Sequence, residues 1–138
     1  MTMTLEQRRA ADAWTISQSC SPEFVNLAKA MPALIMNSGL MQTAAFVSDK
    51  ALKAETSGVR RMDNHHLTLG IALRRWLAGQ FPERFGRQAG EPADPGYGPF
   101  MDALMNAEPR EFQAITAEAM AWLRWVRQIA PTRQQGEG

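Results

Sequence analysis

Cysteine occurs once, at Cys20, which rules out an internal disulfide framework and suits a reducing, intracellular setting. Long hydrophobic runs are missing too. The amino-terminal Met1-Thr2-Met3-Thr4-Leu5-Glu6-Gln7-Arg8-Arg9 lacks the apolar stretch of a secretory leader, and no later segment approaches the length of a membrane span. These absences predict a soluble, cytoplasmic protein. Charge of one sign is not in excess either: 15 Lys and Arg against 14 Asp and Glu give a formal net charge of +1. Bulk electrostatics will therefore not draw the chain onto nucleic acid or lipid, and polyanion binding would have to come from a local patch. No strand-period segment, internal repeat or low-complexity tract occurs. The Walker spacing and its lysine are absent, which excludes that glycine-rich phosphate cradle.

What is present is helical periodicity. At 138 residues the chain makes one domain, and a chain of that size buries roughly two-thirds of its unfolded surface, enough for a core without metals or disulfides. Thr4 and Gln7 have the spacing of a capping box and predict a helix to about Cys20. Its apolar arc collects Ala10, Ala13, Trp14, Ile16 and Cys20, with Arg8, Asp12 and Thr15 opposite. Arg9 falls at the edge of that arc, either snorkelling or pairing with Asp12. Ser21-Pro22-Glu23 reads as cap, first helical position and dipole-matched acid. The helix it opens turns Phe24, Leu27, Ala28 and Met31 inward and leaves Lys29 in solvent.

The stretch from Pro32 to Phe46 is the hub. Pro32 has no amide hydrogen to lose and can open a helix, and Asn37-Ser38-Gly39 offers a residue that tolerates positive φ where that helix stops. Two short helices meeting at a sharp corner inside the fold is the expected result, with Asn37 and Gln42 beside the corner in need of partners. The second arm continues to about Lys53, and a loop around Gly58 follows. Asp63 is placed to cap a helix from about Asn64 to Ala78, with Leu69, Leu73, Trp76 and Leu77 buried, Arg74 and Arg75 beside Trp76, and Gly79 at its end. Pro82 to Pro99 is rich in glycine and proline and reads as a long exposed loop, either functional or an insertion. After a short helix from Phe100 to Met105, Glu108-Pro109 opens the longest and most regular one. There Phe112, Ile115, Ala119, Trp122, Val126 and Ile129 share a face, and Arg124 and Arg127 fall outside it. Pro131 and the polar tail are expected to fray. The fold class is all-α, a compact single-domain bundle of roughly six helices.

No catalytic constellation stands out. Cys20 lies on a core arc, where a structural thiol is expected, and Asp12, Asp63, Asp102 and Glu118 each have a capping or surface role available. His65 and His66 are adjacent and point about 100° apart on a helix, poor geometry for one metal. No catalytic residue, metal or cofactor is expected. The candidate signal is basic: Arg8, Lys29, Arg60, Arg61, Arg74, Arg75, Arg124 and Arg127 occupy solvent-side or border positions. They either solvate helix exteriors or, where three or four converge, meet phosphate with a salt-dependent affinity that several copies on one strand would raise.

Four stretches carry a family resemblance. They are Leu5-Glu6-Gln7-Arg8-Arg9-Ala10, the hub Met31-Pro32-Ala33-Leu34-Ile35-Met36-Asn37-Ser38-Gly39-Leu40 with Gln42-Thr43-Ala44-Ala45-Phe46, the segment Leu73-Arg74-Arg75-Trp76-Leu77, and Thr116-Ala117-Glu118-Ala119-Met120-Ala121-Trp122-Leu123-Arg124-Trp125-Val126-Arg127. In this order the chain resembles the small subunit of the type III-B CRISPR effector, the Cmr small-subunit family. The resemblance implies an all-helical, non-catalytic subunit that stacks in several copies along the groove of the guide RNA–target RNA duplex, beside other Cmr subunits that carry out cutting and signalling. It implies RNA contact through Arg8, Lys29, Arg74, Arg75, Arg124 and Arg127, and a structural or contact role for Pro32, Asn37, Gly39 and Gln42. The departures are Met41, where a small residue is common, and the length of the Pro82–Pro99 segment. The competing reading is a free-standing helical adaptor that takes a protein partner in an apolar groove, compatible with nine methionines. An enzyme using Cys20 or the His65-His66 pair is the third.

Overall fold

A hydroxyl and an amide fix the first helix. Thr4 accepts from the Gln7 amide at 3.0 Å while the Gln7 side chain accepts from the Thr4 amide at 2.7 Å, so the capping box closes and α1 runs Leu5–Ile16. The computed structural model describes residues 2–86 and 93–136. Its further helices are α2 (Pro22–Thr56), α3 (His65–Gln80), α4 (Pro82–Phe85), α5 (Tyr97–Met105) and α6 (Pro109–Ile129), with short 3-10 turns at Arg61–Asp63 and Ala130–Arg133. No strand occurs among the described residues, and none of their helices is long and apolar enough to cross a membrane. The all-α expectation holds. α3 packs along α2, and α6 packs against both α1 and α2. Between them lie Met31, Leu40, Leu69, Leu77, Phe100, Ile115, Trp122 and Val126, all fully enclosed.

Several local expectations need correction. Pro32 opens no helix. Ser21 caps the Phe24 amide at 3.0 Å, Pro22 takes the first turn, and the helix carries on through a buried Pro32 because Phe24, Leu27, Ala28, Met31 and Ile35 form one continuous inward stripe. The break comes at Gly39, whose φ of 84° and ψ of 164° are non-helical, as the hub reading requires. The corner itself stands at the surface: Asn37, Ser38 and Gln42 are exposed, while Leu40 and Thr43 turn inward. The buried polar group there is Thr43, whose hydroxyl has no hydrogen-bond partner among the described residues.

Asn64, not Asp63, caps α3. It accepts from the Leu67 amide at 3.2 Å and donates to the Ala51 carbonyl at 2.9 Å, which ties the cap to α2, whereas Asp63 pairs with Arg60. Gly79 remains helical, and α3 ends only at Phe81. The Pro82–Pro99 segment is less open than its composition suggests: Phe85 is buried and stacks on Phe100 at 5.4 Å, and Asp94 holds Arg74. Residues 87–92 of that segment lie outside the described residues. The tail does not fray before Gly136. The Gln135 amide donates to the Cys20 carbonyl at 2.8 Å, and Cys20 and Gln134 form an isolated parallel bridge; Glu137 and Gly138 lie outside the described residues.

Candidate nucleic-acid interface

A polar seam joins α1, α3 and α6. Glu118 lies amid the apolar positions of α6, only 8% exposed, and a carboxylate there must be paired. Arg9 supplies two bonds, Nε to Oε2 at 2.8 Å and Nη2 to Oε1 at 2.6 Å, and the Trp76 indole N–H a third at 3.0 Å. So Arg9 pairs with Glu118 rather than Asp12, and Glu118 has no surface role. Asp12 in turn accepts from the Trp122 indole N–H at 2.7 Å. Burial raises the Asp12 carboxyl above its ordinary value, against the hydrogen bond from Trp122 and the charge of Arg75, which lower it. The spacing did contain this signal: a carboxylate three residues after Ile115 and four before Trp122 sits on the buried stripe.

This seam sets where the predicted cations stand. Arg8 lies one turn before Asp12 on α1 and is exposed, whereas Arg75, half-buried on α3, acts on the Asp12 carboxylate by its charge. Arg124 and Arg127 are exposed one turn apart on the outer side of α6. Arg110, not nominated from sequence, is exposed at the start of the same helix, roughly 21 Å from Arg124 along its axis. Lys29 is exposed on the first arm of α2, and no hydrogen bond or ion pair links it to the others. Arg8, Lys29, Arg124 and Arg127 form no ion pair with a described residue. Arg74 does: its Nε and Nη2 meet Asp94 at 2.7 and 2.9 Å, mostly out of solvent. Of the hub residues, Pro32 is buried, Gly39 makes the break, and Asn37 and Gln42 face solvent.

The catalytic candidates are otherwise engaged. The Cys20 thiol donates to the Ala130 carbonyl at 3.3 Å, and burial raises its pKa, against thiolate formation. The His65 and His66 rings lie against each other at a tilt of 42° with centroids 4.3 Å apart, and His66 meets Phe46 edge to face. No group of three or more metal-ligating side chains occurs among the described residues. Burial lowers both histidines below 6.5; the neighbouring His65 and Lys50 lower His66 further, and Glu23 partly restores His65. A lowered folded pKa means that the unfolded chain binds protons more readily. Stability is then fully present above the unfolded value and falls as pH drops from about 6.5 toward the folded values. The expected loss is no more than about 1 kcal/mol, because the rings are only partly buried. Urea unfolding at pH 7.5 and 5.5, with His65→Gln/His66→Gln flattening the difference, checks it.

Fold and surface together define a class: a single-domain helical bundle with its thiol and its tryptophan-bound carboxylates turned inward and cations on α1, α2 and α6 turned outward. A family model described as CRISPR-associated protein (Cas_Cmr5) matches residues 5–132. The chain belongs to this family and is thereby a subunit of the Cmr complex of CRISPR defence, with other Cmr subunits as its partners. A comparison with curated proteins gives no match.

Proposed function

We propose that the chain is a non-catalytic small subunit that stacks with further copies of itself along the guide RNA–target RNA duplex, in the cytoplasm, and presents Arg8, Lys29, Arg75, Arg124 and Arg127 to phosphate. The family match across residues 5–132 carries this reading. Arg8, Lys29, Arg124 and Arg127 support it, being exposed and without an ion-pair partner among the described residues, because a cation already paired inside the protein neutralises no phosphate; Arg75 is half-buried beside Asp12 and joins the set by its place next to Arg74 on α3. Arg74, matched by Asp94, is left out of the contact set for that reason and instead pins the segment before α5. Contact through phosphate and duplex shape suits a subunit that must accept any target, since guide pairing already reads the sequence.

A tagged copy is expected to bring down a guide-RNA particle containing the sibling Cmr subunits. Recovery of an RNA-free protein partner alone would replace this reading with the adaptor. For the surface, Arg124→Glu/Arg127→Glu is expected to weaken binding to duplex RNA about tenfold or more at low salt and to flatten the salt dependence by roughly two phosphate contacts. Both side chains are exposed, so the thermal melt is expected to stay within about 0.5 kcal/mol of the parent. An unaltered RNA titration removes the α6 pair from the interface.

A further inference from the structure

Trp14 was expected on the buried arc of α1 and is instead 54% exposed. It is the most exposed of the four tryptophans: Trp122 and Trp76 are enclosed and Trp125 is partly buried. One face of its ring is already taken. The Arg133 guanidinium lies 4.0 Å from the ring centroid, and Arg133 Nη1 donates to the Trp14 carbonyl at 2.8 Å. The side chain therefore has a second anchor, and its planar group is fixed over the indole. With one face covered and more than half of the residue still accessible, the other face is open to solvent.

The surroundings narrow what could cover it. Along α1 and the turn after it, the residues one turn from Trp14 are Ala10, Ala11, Ser17 and Gln18. The alanines are too small to shield a ring, the side chains carry no negative charge, and Gln18 is an exposed amide able to donate and accept. A cationic peptide is disfavoured, because the ring already serves one guanidinium and a second cation would be repelled by it. An aromatic group that brings its own negative charge is favoured: it stacks on the free face while Arg133 offers its charge to the attached phosphate.

We propose that Trp14, backed by Arg133, is a stacking site for an unpaired nucleobase of single-stranded RNA. The site is distinct from the duplex-facing cations of α6 and would hold a base outside the paired region. It rests on the RNA-facing reading above only for the source of the strand. Stacking on an aromatic ring accepts any base, so the site needs no sequence preference. Gln18 can add a hydrogen bond to a base edge.

The test uses the 138-residue chain at low salt with two probes: a short single-stranded RNA carrying 2-aminopurine and a blunt RNA duplex of equal length. Quenching of 2-aminopurine by the parent chain is expected. Trp14→Ala is expected to lose about 5- to 150-fold in affinity for the single strand, the range measured for one base–aromatic stack, with duplex affinity unchanged. Trp14→Phe, which keeps a ring, is expected to recover most of the loss. Equal single-strand binding by Trp14→Ala and the parent overturns the site, as does absence of single-strand binding while the duplex is still bound. Absence of binding to both probes overturns the RNA-facing reading and this site together. If an uncharged peptide of mixed sequence perturbs Trp14 fluorescence and the single strand does not, the surface is a protein contact and the proposal fails.

Discussion

Glu118→Leu is expected to destabilise the fold by about 3 kcal/mol, the lower end of the range for breaking a buried ion pair. Leucine suits the apolar stripe of α6 in size, so the loss would come from what is left behind. The Trp76 indole N–H is buried and loses its acceptor, and Arg9 loses both hydrogen bonds. Arg9 keeps partial access to solvent and recovers some hydration, which holds the loss at the lower end. Glu118→Gln retains an acceptor for Trp76 and is expected to lose about half as much. In a double-mutant cycle, Arg9→Met/Glu118→Leu is expected to lie closer to the parent than Glu118→Leu alone, because the stranded guanidinium is gone. Urea unfolding gives the comparison, and a Glu118→Leu midpoint equivalent to less than 1 kcal/mol of loss would show that the pair adds little. The consequence reaches the interface. Ala13 is the one fully buried residue of α1, so polar bonds carry an unusual share of its attachment. Arg8 and Trp14 ride on that helix, and their aim depends on Glu118.

The broad architecture was legible because it follows from periodicity and caps. Thr4 with Gln7, Ser21 with Pro22, and the stripe from Phe112 to Ile129 each place a helix by local rules that tertiary packing does not override. Gly39 was legible for the same reason, as a residue suited to positive φ between two apolar runs. What stayed hidden was partner choice across the chain. Arg9 and Glu118 are 109 residues apart, and so many positions separate the two that spacing offers Asp12 as the nearer acid. Trp14 was misread because one hydrophobic arc was drawn for all of α1; Arg133, which holds the ring outside, comes from a tail expected to fray. The cations do stand at surface or border positions, yet sequence could not tell Arg74, matched by Asp94, from Arg124, which has no such partner among the described residues. Neutralisation, like the exposure of Trp14, is decided by a partner far away in the sequence.

Gly39→Val is expected to lower stability by about 3 kcal/mol and Gly39→Ala by somewhat less, the range for holding an L-residue in a backbone region that is essentially glycine's alone. The pair φ 84°, ψ 164° lies in that region. Crowding is not the cause: a Cβ added at Gly39 would meet nothing within 4 Å. The strain would therefore sit in the backbone, and chirality offers a control that size cannot. D-Alanine at position 39, introduced by chemical ligation, favours positive φ and is expected to match or exceed the parent, although it fills the same volume as L-alanine. The alternative for an L-residue is to continue the helix. α2 would then become one rod of 35 residues, roughly 52 Å long, and Met31 and Ile35 on the first arm could no longer share a core with Leu40 and Val47 on the second. Urea unfolding of the three variants separates the cases. Equal stability for L- and D-alanine would mean that the corner is set by packing on either side; a gap in favour of D-alanine places the turn in the backbone of this one residue.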